Sequence, residues 1–135
     1  MGRLAHREHT SRKEWSVGVS LSLWALTLGL GGLGALVRWF SVEVSAKPWA
    51  AILAVNIVGS ALAGGVAAFP GVAGSLPLIA GLCGGLTTFS TVALQLTPGQ
   101  ISRRPLVLIS IAAAHCVGGI GACWSAFALV STALS

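Results

Sequence analysis

The chain has 135 residues, of which 8% are charged and 55% hydrophobic, and a formal net charge of +5. Soluble domains run about 25% charged, so this chain lacks the polar surface that a water-soluble fold of one domain requires, whereas a bilayer solvates apolar faces directly. The positive balance does not point to nucleic acid. The basic residues are few, lie in loops and tails, and lack an aromatic platform; flanking membrane spans is their ordinary use.

In chain order, residues 1–15 form a polar arm containing RLAHREHTSRKE, and residues 16–135 form a transmembrane domain. A span needs about 20 mostly apolar residues to cross the hydrocarbon. Four stretches qualify, at about 17–38, 48–69, 76–96 and 105–134. Barrel strands alternate polar and apolar residues, and these stretches do not, so helices are expected. The first stretch is too long for the apolar part of a signal peptide, and three further spans follow it, so it reads as a retained helix. The connection Trp39 to Lys47 is short and holds Glu43. Pro48 suits the first turn of a helix, where its missing N–H is harmless. The segments PGVAGS (Pro70 to Ser75) and TPGQISRR (Thr97 to Arg104) carry turn chemistry.

Orientation follows Lys and Arg near the span ends. One side would hold Arg3, Arg7, Arg12 and Lys13, the other Arg38, Lys47, Arg103 and Arg104, which is four against four. A balanced count gives the insertion machinery no clear instruction. Insertion in both directions as an antiparallel homodimer, pairing with an oppositely oriented partner, and an ordinary fixed orientation all stay open. Cys83, Cys116 and Cys123 fall inside spans without metal-ligand spacing, and read as small buried hydrophobes. Glycines stud the first, second and fourth spans, which implies closely approaching backbones.

The chemistry concentrates in the third span, GLCGGLTTFSTV from Gly81 to Val92. Three glycines, each costing about 1 kcal/mol in a helix interior, precede Thr87, Thr88, Phe89, Ser90 and Thr91. The pattern permits a break in the helix, which would expose carbonyls to a cation and amides to an anion. A straight helix with hydroxyls bonded to their own backbone is equally compatible. Asn56, in mid-span, needs hydrogen-bond partners: a neighbouring helix or a permeating anion. His115 is an ionisable residue inside a span, a functional signal by default, although a neutral hydrogen-bonded ring also satisfies it. Arg38 can snorkel to the interface or concentrate anions at a pore mouth.

Three segments, GGLGALVRWF (Gly31 to Phe40), NIVGSALAG (Asn56 to Gly64) and GLCGGLTTFST (Gly81 to Thr91), resemble the Fluc (CrcB) fluoride channel family in order, spacing and four-helix frame. The third is highly specific. The resemblance implies an all-α membrane protein of four helices with a break in the third, assembling as an antiparallel dimer with two fluoride pathways in the plasma membrane. It implies a structural sodium ion at the dimer centre, held by backbone carbonyls of Gly84 and Thr87 from both subunits. It places Asn56, Thr88, Phe89, Ser90 and Thr91 along the fluoride pathway and Arg38 at the vestibule. A Phe ring offers its positive edge to fluoride. Hydroxyls and an amide replace water without binding so tightly that exit stops.

The chain also departs from the family pattern. Val92 stands where a second phenylalanine is usual, Ala93 where serine is, Gln95 where an acid is, and Ile52 where threonine is frequent. Ile111 and His115 replace a tyrosine and a serine of the fourth span. These losses raise the alternative of a non-conducting or half-active partner in a heterodimeric channel. A small proton-coupled drug exporter is a weaker alternative, since it needs a carboxylate in the membrane and Glu8, Glu14 and Glu43 all fall outside the expected spans. With no nucleophile–base pair and no metal cluster, an enzyme is not expected.

Overall fold

The computed structural model describes residues 21–69, 71, 75–97 and 104–135. The polar arm, the start of the first span, most of the second connection and Arg103 lie outside the described residues. Every regular element among the described residues is helical. Helix α1 is Leu21–Glu43 and α2 is Pro48–Ala67. The third span, Pro77–Gln95, is assembled from a π-helical segment Pro77–Cys83, a single turn α3, Gly84–Leu86, and α4, Ser90–Gln95. Helix α5 is Pro105–Leu134.

The four spans hold 23, 20, 19 and 30 residues and are long and apolar enough to cross a membrane. At 1.5 Å per residue α5 reaches about 45 Å, so it tilts in the bilayer or projects beyond the hydrocarbon. Helix α1 ends later than the apolar pattern suggests. Hydrophobicity fades at Arg38, but the helix continues to Glu43 and closes with Val44 N–H donating to the Phe40 carbonyl and Ser45 N–H to Val42. Losing lipid contact does not unwind a helix; Trp39 and Phe40, both exposed, suit the interfacial depth. Helix α2 begins at Pro48, as expected from its missing donor.

The third span packs chiefly on α1, and α2 packs chiefly on α5. The buried core is small: Ile52, Val55, Cys83, Leu86 and Val92. By contrast no residue of α5 is buried, and Val117, Ile120, Trp124 and Leu129 are exposed. Such faces are untenable in water and ordinary in lipid. In lipid, helices associate through close packing rather than apolar burial. Gly85 rests on the backbone of Gly31 in α1, and Gly64 rests on the backbone of Cys123 in α5; a Cβ at either position would overlap those atoms. Hydroxyls in the spans are satisfied locally: Thr27 donates to the Leu23 carbonyl at 2.7 Å and Ser41 to Val37 at 2.7 Å. Of the three thiols, all free, Cys83 is buried and Cys123 half-buried, but Cys116 is exposed. Cys116 therefore departs from the expectation of buried thiols, because α5 has only α2 as an extensive neighbour.

Candidate functional site

Between α3 and α4 the backbone leaves the helical path. Thr87 N–H still donates to Cys83 at 3.0 Å, but Thr87 itself is extended, with φ −82° and ψ 153°. Helical bonding resumes at Ala93 N–H to the Phe89 carbonyl, 2.8 Å. Such an interruption frees backbone groups that an apolar surround cannot solvate, so each needs a partner.

Three side chains supply them. Arg38 of α1 reaches across to donate from its guanidinium to the Thr87 carbonyl at 3.1 Å. Asn56 of α2 clamps Thr88 on both sides: its Oδ1 accepts the Thr88 N–H at 2.8 Å, and its Nδ2 donates to the Thr88 carbonyl at 3.1 Å. Thr88 Oγ1 in turn accepts the Thr91 N–H at 3.4 Å, satisfying a first-turn donor of α4 in the manner of an N-cap. Thr88 Oγ1 also lies 3.2 Å from Ser90 Oγ and 3.3 Å from Thr91 Oγ1. A second contact of Asn56 Nδ2, 3.1 Å from His115 Nδ1, ties α5 into the same network.

A groove of ≈ 300 Å³ opens beside this network, and Asn56, Thr87, Thr88, Phe89, Val92 and His115 are among its lining residues. Phe89 is 81% exposed, so its own chain leaves the ring almost uncovered. Of the residues expected along a pathway, Asn56, Thr88 and Phe89 thus share one groove. Ser90 joins through its bond to Thr88. Thr91 touches Thr88 but lines a different groove, of ≈ 320 Å³, with Ile52 and Gln95. Gln95 Oε1 is buried there with no hydrogen-bond partner among the described residues. Arg38 is half-buried, lies within α1 rather than beyond its end, and is engaged with Thr87. Val92 is a buried core residue as well as a wall of the first groove. His115 was legible as an intramembrane ionisable group, but its contact with Asn56, 59 residues away, was not.

The two carbonyls expected to hold sodium are placed differently. The Thr88 N–H, which would have closed a helical bond onto Gly84, is taken by Asn56, so the Gly84 carbonyl is released from that bond, and Gly84 is exposed. The Thr87 carbonyl already accepts from Arg38, although a carbonyl oxygen has a second lone pair. Neutral, hard oxygens of this kind suit a hard monovalent cation, and one chain offers two of them; the residues fit such an ion, with the Arg38 charge as a neighbour.

Four apolar spans, with a groove among them where Asn56, Thr87, Thr88 and His115 stand beside Phe89, Val92 and Leu96, define a small multi-pass membrane protein. The chain belongs to the CrcB-like family: the family model described as CrcB-like protein, Camphor Resistance (CrcB), matches residues 24–127. It is 36% identical to the fluoride-specific ion channel FluC of Variovorax paradoxus (strain S110), over 77% of this chain and 90% of that protein. It is 35% identical to the FluC of Burkholderia pseudomallei (strain 668), over 83% and 98% respectively. A FluC of Pseudomonas aeruginosa (strain UCBPP-PA14) is 41% identical over 55% of this chain and 65% of its own length. No solved structure matches the chain. In bacteria such a protein resides in the plasma membrane.

Proposed function

We propose that the chain is a subunit of a fluoride-selective channel that lets fluoride leave the cytoplasm passively and so limits its toxicity. The observation that carries this reading is the groove beside Thr87 to Phe89, where Asn56, Thr87, Thr88 and the Phe89 ring share a wall with the apolar Val92 and Leu96, in a chain whose relatives are fluoride-specific channels. Fluoride is small and strongly hydrated. A path must replace its water with donors that hold it moderately, since a buried Lys or Arg at close range would trap it. The hydroxyls of Thr88, Ser90 and Thr91 and the edge of the Phe89 ring are donors of that strength, with Asn56 holding the backbone of Thr88 on the same groove wall. The Arg38 guanidinium adds positive potential at the vestibule.

The third span would cross the membrane as two half-helices about GGLTT, with Arg38 and Asn56 compensating the backbone that the break opens. The working unit would be an antiparallel dimer. The even split of basic residues and the nearly bare Phe89 ring support that arrangement. The carbonyls of Gly84 and Thr87 from both copies would hold a sodium ion, which when bound supplies a fixed positive charge at the dimer centre.

One observation favours a second reading. Val92 leaves Phe89 as the one phenylalanine among the residues lining the groove, which suits one member of a heterodimer whose partner completes the path. A proton-coupled exporter gains no support: the acid among the described residues, Glu43, closes α1 at its end. Fluoride efflux from liposomes, followed with a fluoride electrode, separates these readings. Efflux with the purified chain alone supports a homodimeric channel. Efflux only after adding a homologous subunit supports the heterodimer, and none in either case contradicts the channel.

A further inference from the structure

Asn56 can be oriented in one way only. The Thr88 N–H can only donate and the Thr88 carbonyl can only accept, so Oδ1 faces the first at 2.8 Å and Nδ2 faces the second at 3.1 Å. The same Nδ2 lies 3.1 Å from His115 Nδ1. Two donors do not sit stably at that distance, so Nδ1 accepts and the neutral ring carries its hydrogen on Nε2. Both hydrogens of the Asn56 amide are then engaged, one on Thr88 and one on His115. Asn56 has none left for an ion in the groove. Among the described residues nothing hydrogen-bonds His115 Nε2, and His115 lines the groove that holds Phe89 and Thr88.

From this geometry we infer that His115, held by Asn56 as its Nε2–H tautomer, is a fluoride-binding residue of the pathway, its N–H standing in for the Asn56 donors that the backbone clamp consumes. The inference rests on the fluoride-channel reading. A neutral imidazole N–H is a stronger donor than a hydroxyl and remains uncharged, so it holds fluoride without trapping it. The residue that departs from the family pattern in the fourth span thereby supplies a donor to the groove that the apolar Val92 also lines.

Two variants separate ion contact from a merely structural role. His115→Gln keeps an N–H donor near the Nε2 position and lacks the Nδ1 acceptor. His115→Asn keeps a polar atom near Nδ1, able to hold Asn56, and loses the Nε2 donor. In liposome efflux, Gln is expected to stay within about threefold of wild type and Asn to fall roughly tenfold, the loss of one good hydrogen bond to a charged ion. The reverse order, or an Asn variant equal to wild type, overturns the inference. The second measurement uses the unmodified full chain labelled with 15N-histidine, its His115 signals assigned by their loss in His115→Asn. The expected result is the Nε2–H tautomer, with the Nε2 signal moving on titration with sodium fluoride and not with sodium chloride. An Nδ1–H tautomer, or no fluoride-specific shift, overturns it. If wild type passes no fluoride, either alone or with a homologous subunit added, the channel reading falls, whereas a conducting wild type with an unresponsive His115 removes only this inference.

Discussion

Replacing Asn56 by alanine removes three hydrogen bonds at once and strands two backbone groups of Thr88. Two magnitudes bracket the effect. Interhelical hydrogen bonds in membrane proteins average about 0.6 kcal/mol each, which puts three near 2 kcal/mol. An orphaned buried backbone group costs about 1–3 kcal/mol, so two dry orphans would exceed that. Thr88 is only half-buried and borders a groove of ≈ 300 Å³, ample for water, whose share of liquid volume is about 30 Å³. Rehydration offsets part of the loss, and Asn56→Ala is expected to destabilise the protein by about 2–3 kcal/mol. Asn56→Asp keeps Oδ1 for the Thr88 N–H but turns an acceptor toward the Thr88 carbonyl and His115 Nδ1; it should be no better than alanine. Ser60→Ala, in the same groove wall, is the control and should stay within about 0.5 kcal/mol of wild type. Equilibrium unfolding in lipid–detergent bicelles reads all three. An Asn56→Ala variant as stable as Ser60→Ala, or a wild-type-like Asn56→Asp, would refute the clamp.

Arg38→Met removes the donor on the Thr87 carbonyl and is expected to cost about 1–3 kcal/mol in the same assay, with Arg38→Lys recovering only part because its single ammonium lacks the planar fork. Gly64→Ala drives a Cβ into the Cys123 backbone and should lower stability by about 1–3 kcal/mol. Gly29→Ala meets nothing within 4 Å and should be neutral, or stabilising by up to about 1 kcal/mol through helix propensity; equal effects at the two glycines would contradict the packing described. Phe89→Ala should leave the unfolding of the chain within about 0.5 kcal/mol of wild type, because the ring is 81% exposed, while lowering fluoride efflux roughly tenfold. A large stability loss would show instead that the ring is a packing residue.

The membrane class and the number of spans were legible because both depend on summed apolar length, which composition and hydropathy record directly. The end of α1 was not, since the charge of Arg38 interrupts the apolar run while the helical bonds continue to Glu43. The chemically rich segment was visible as GGLTTFST, and Thr87, Thr88 and Phe89 within it are the residues that lie between α3 and α4. What holds that stretch was out of reach. Arg38 and Thr87 are 49 residues apart, Asn56 and Thr88 are 32, and Asn56 and His115 are 59. Residue types mark Arg38, Asn56 and His115 as polar groups in need of partners, but which partner each finds depends on how the helices rotate and slide against one another. His115 illustrates the cost: as a letter replacing serine it reads as a lost pathway residue, and only its distance from Asn56 reveals a ring with a donor to spare.

The most direct test of the account is fluoride efflux from liposomes containing the purified full-length chain, recorded with a fluoride electrode against the same vesicles loaded with chloride and followed with a chloride electrode. The account predicts rapid release of fluoride and none of chloride, by this chain alone or once a homologous partner is added. Vesicles that retain fluoride in both preparations, or that release chloride equally well, would contradict it.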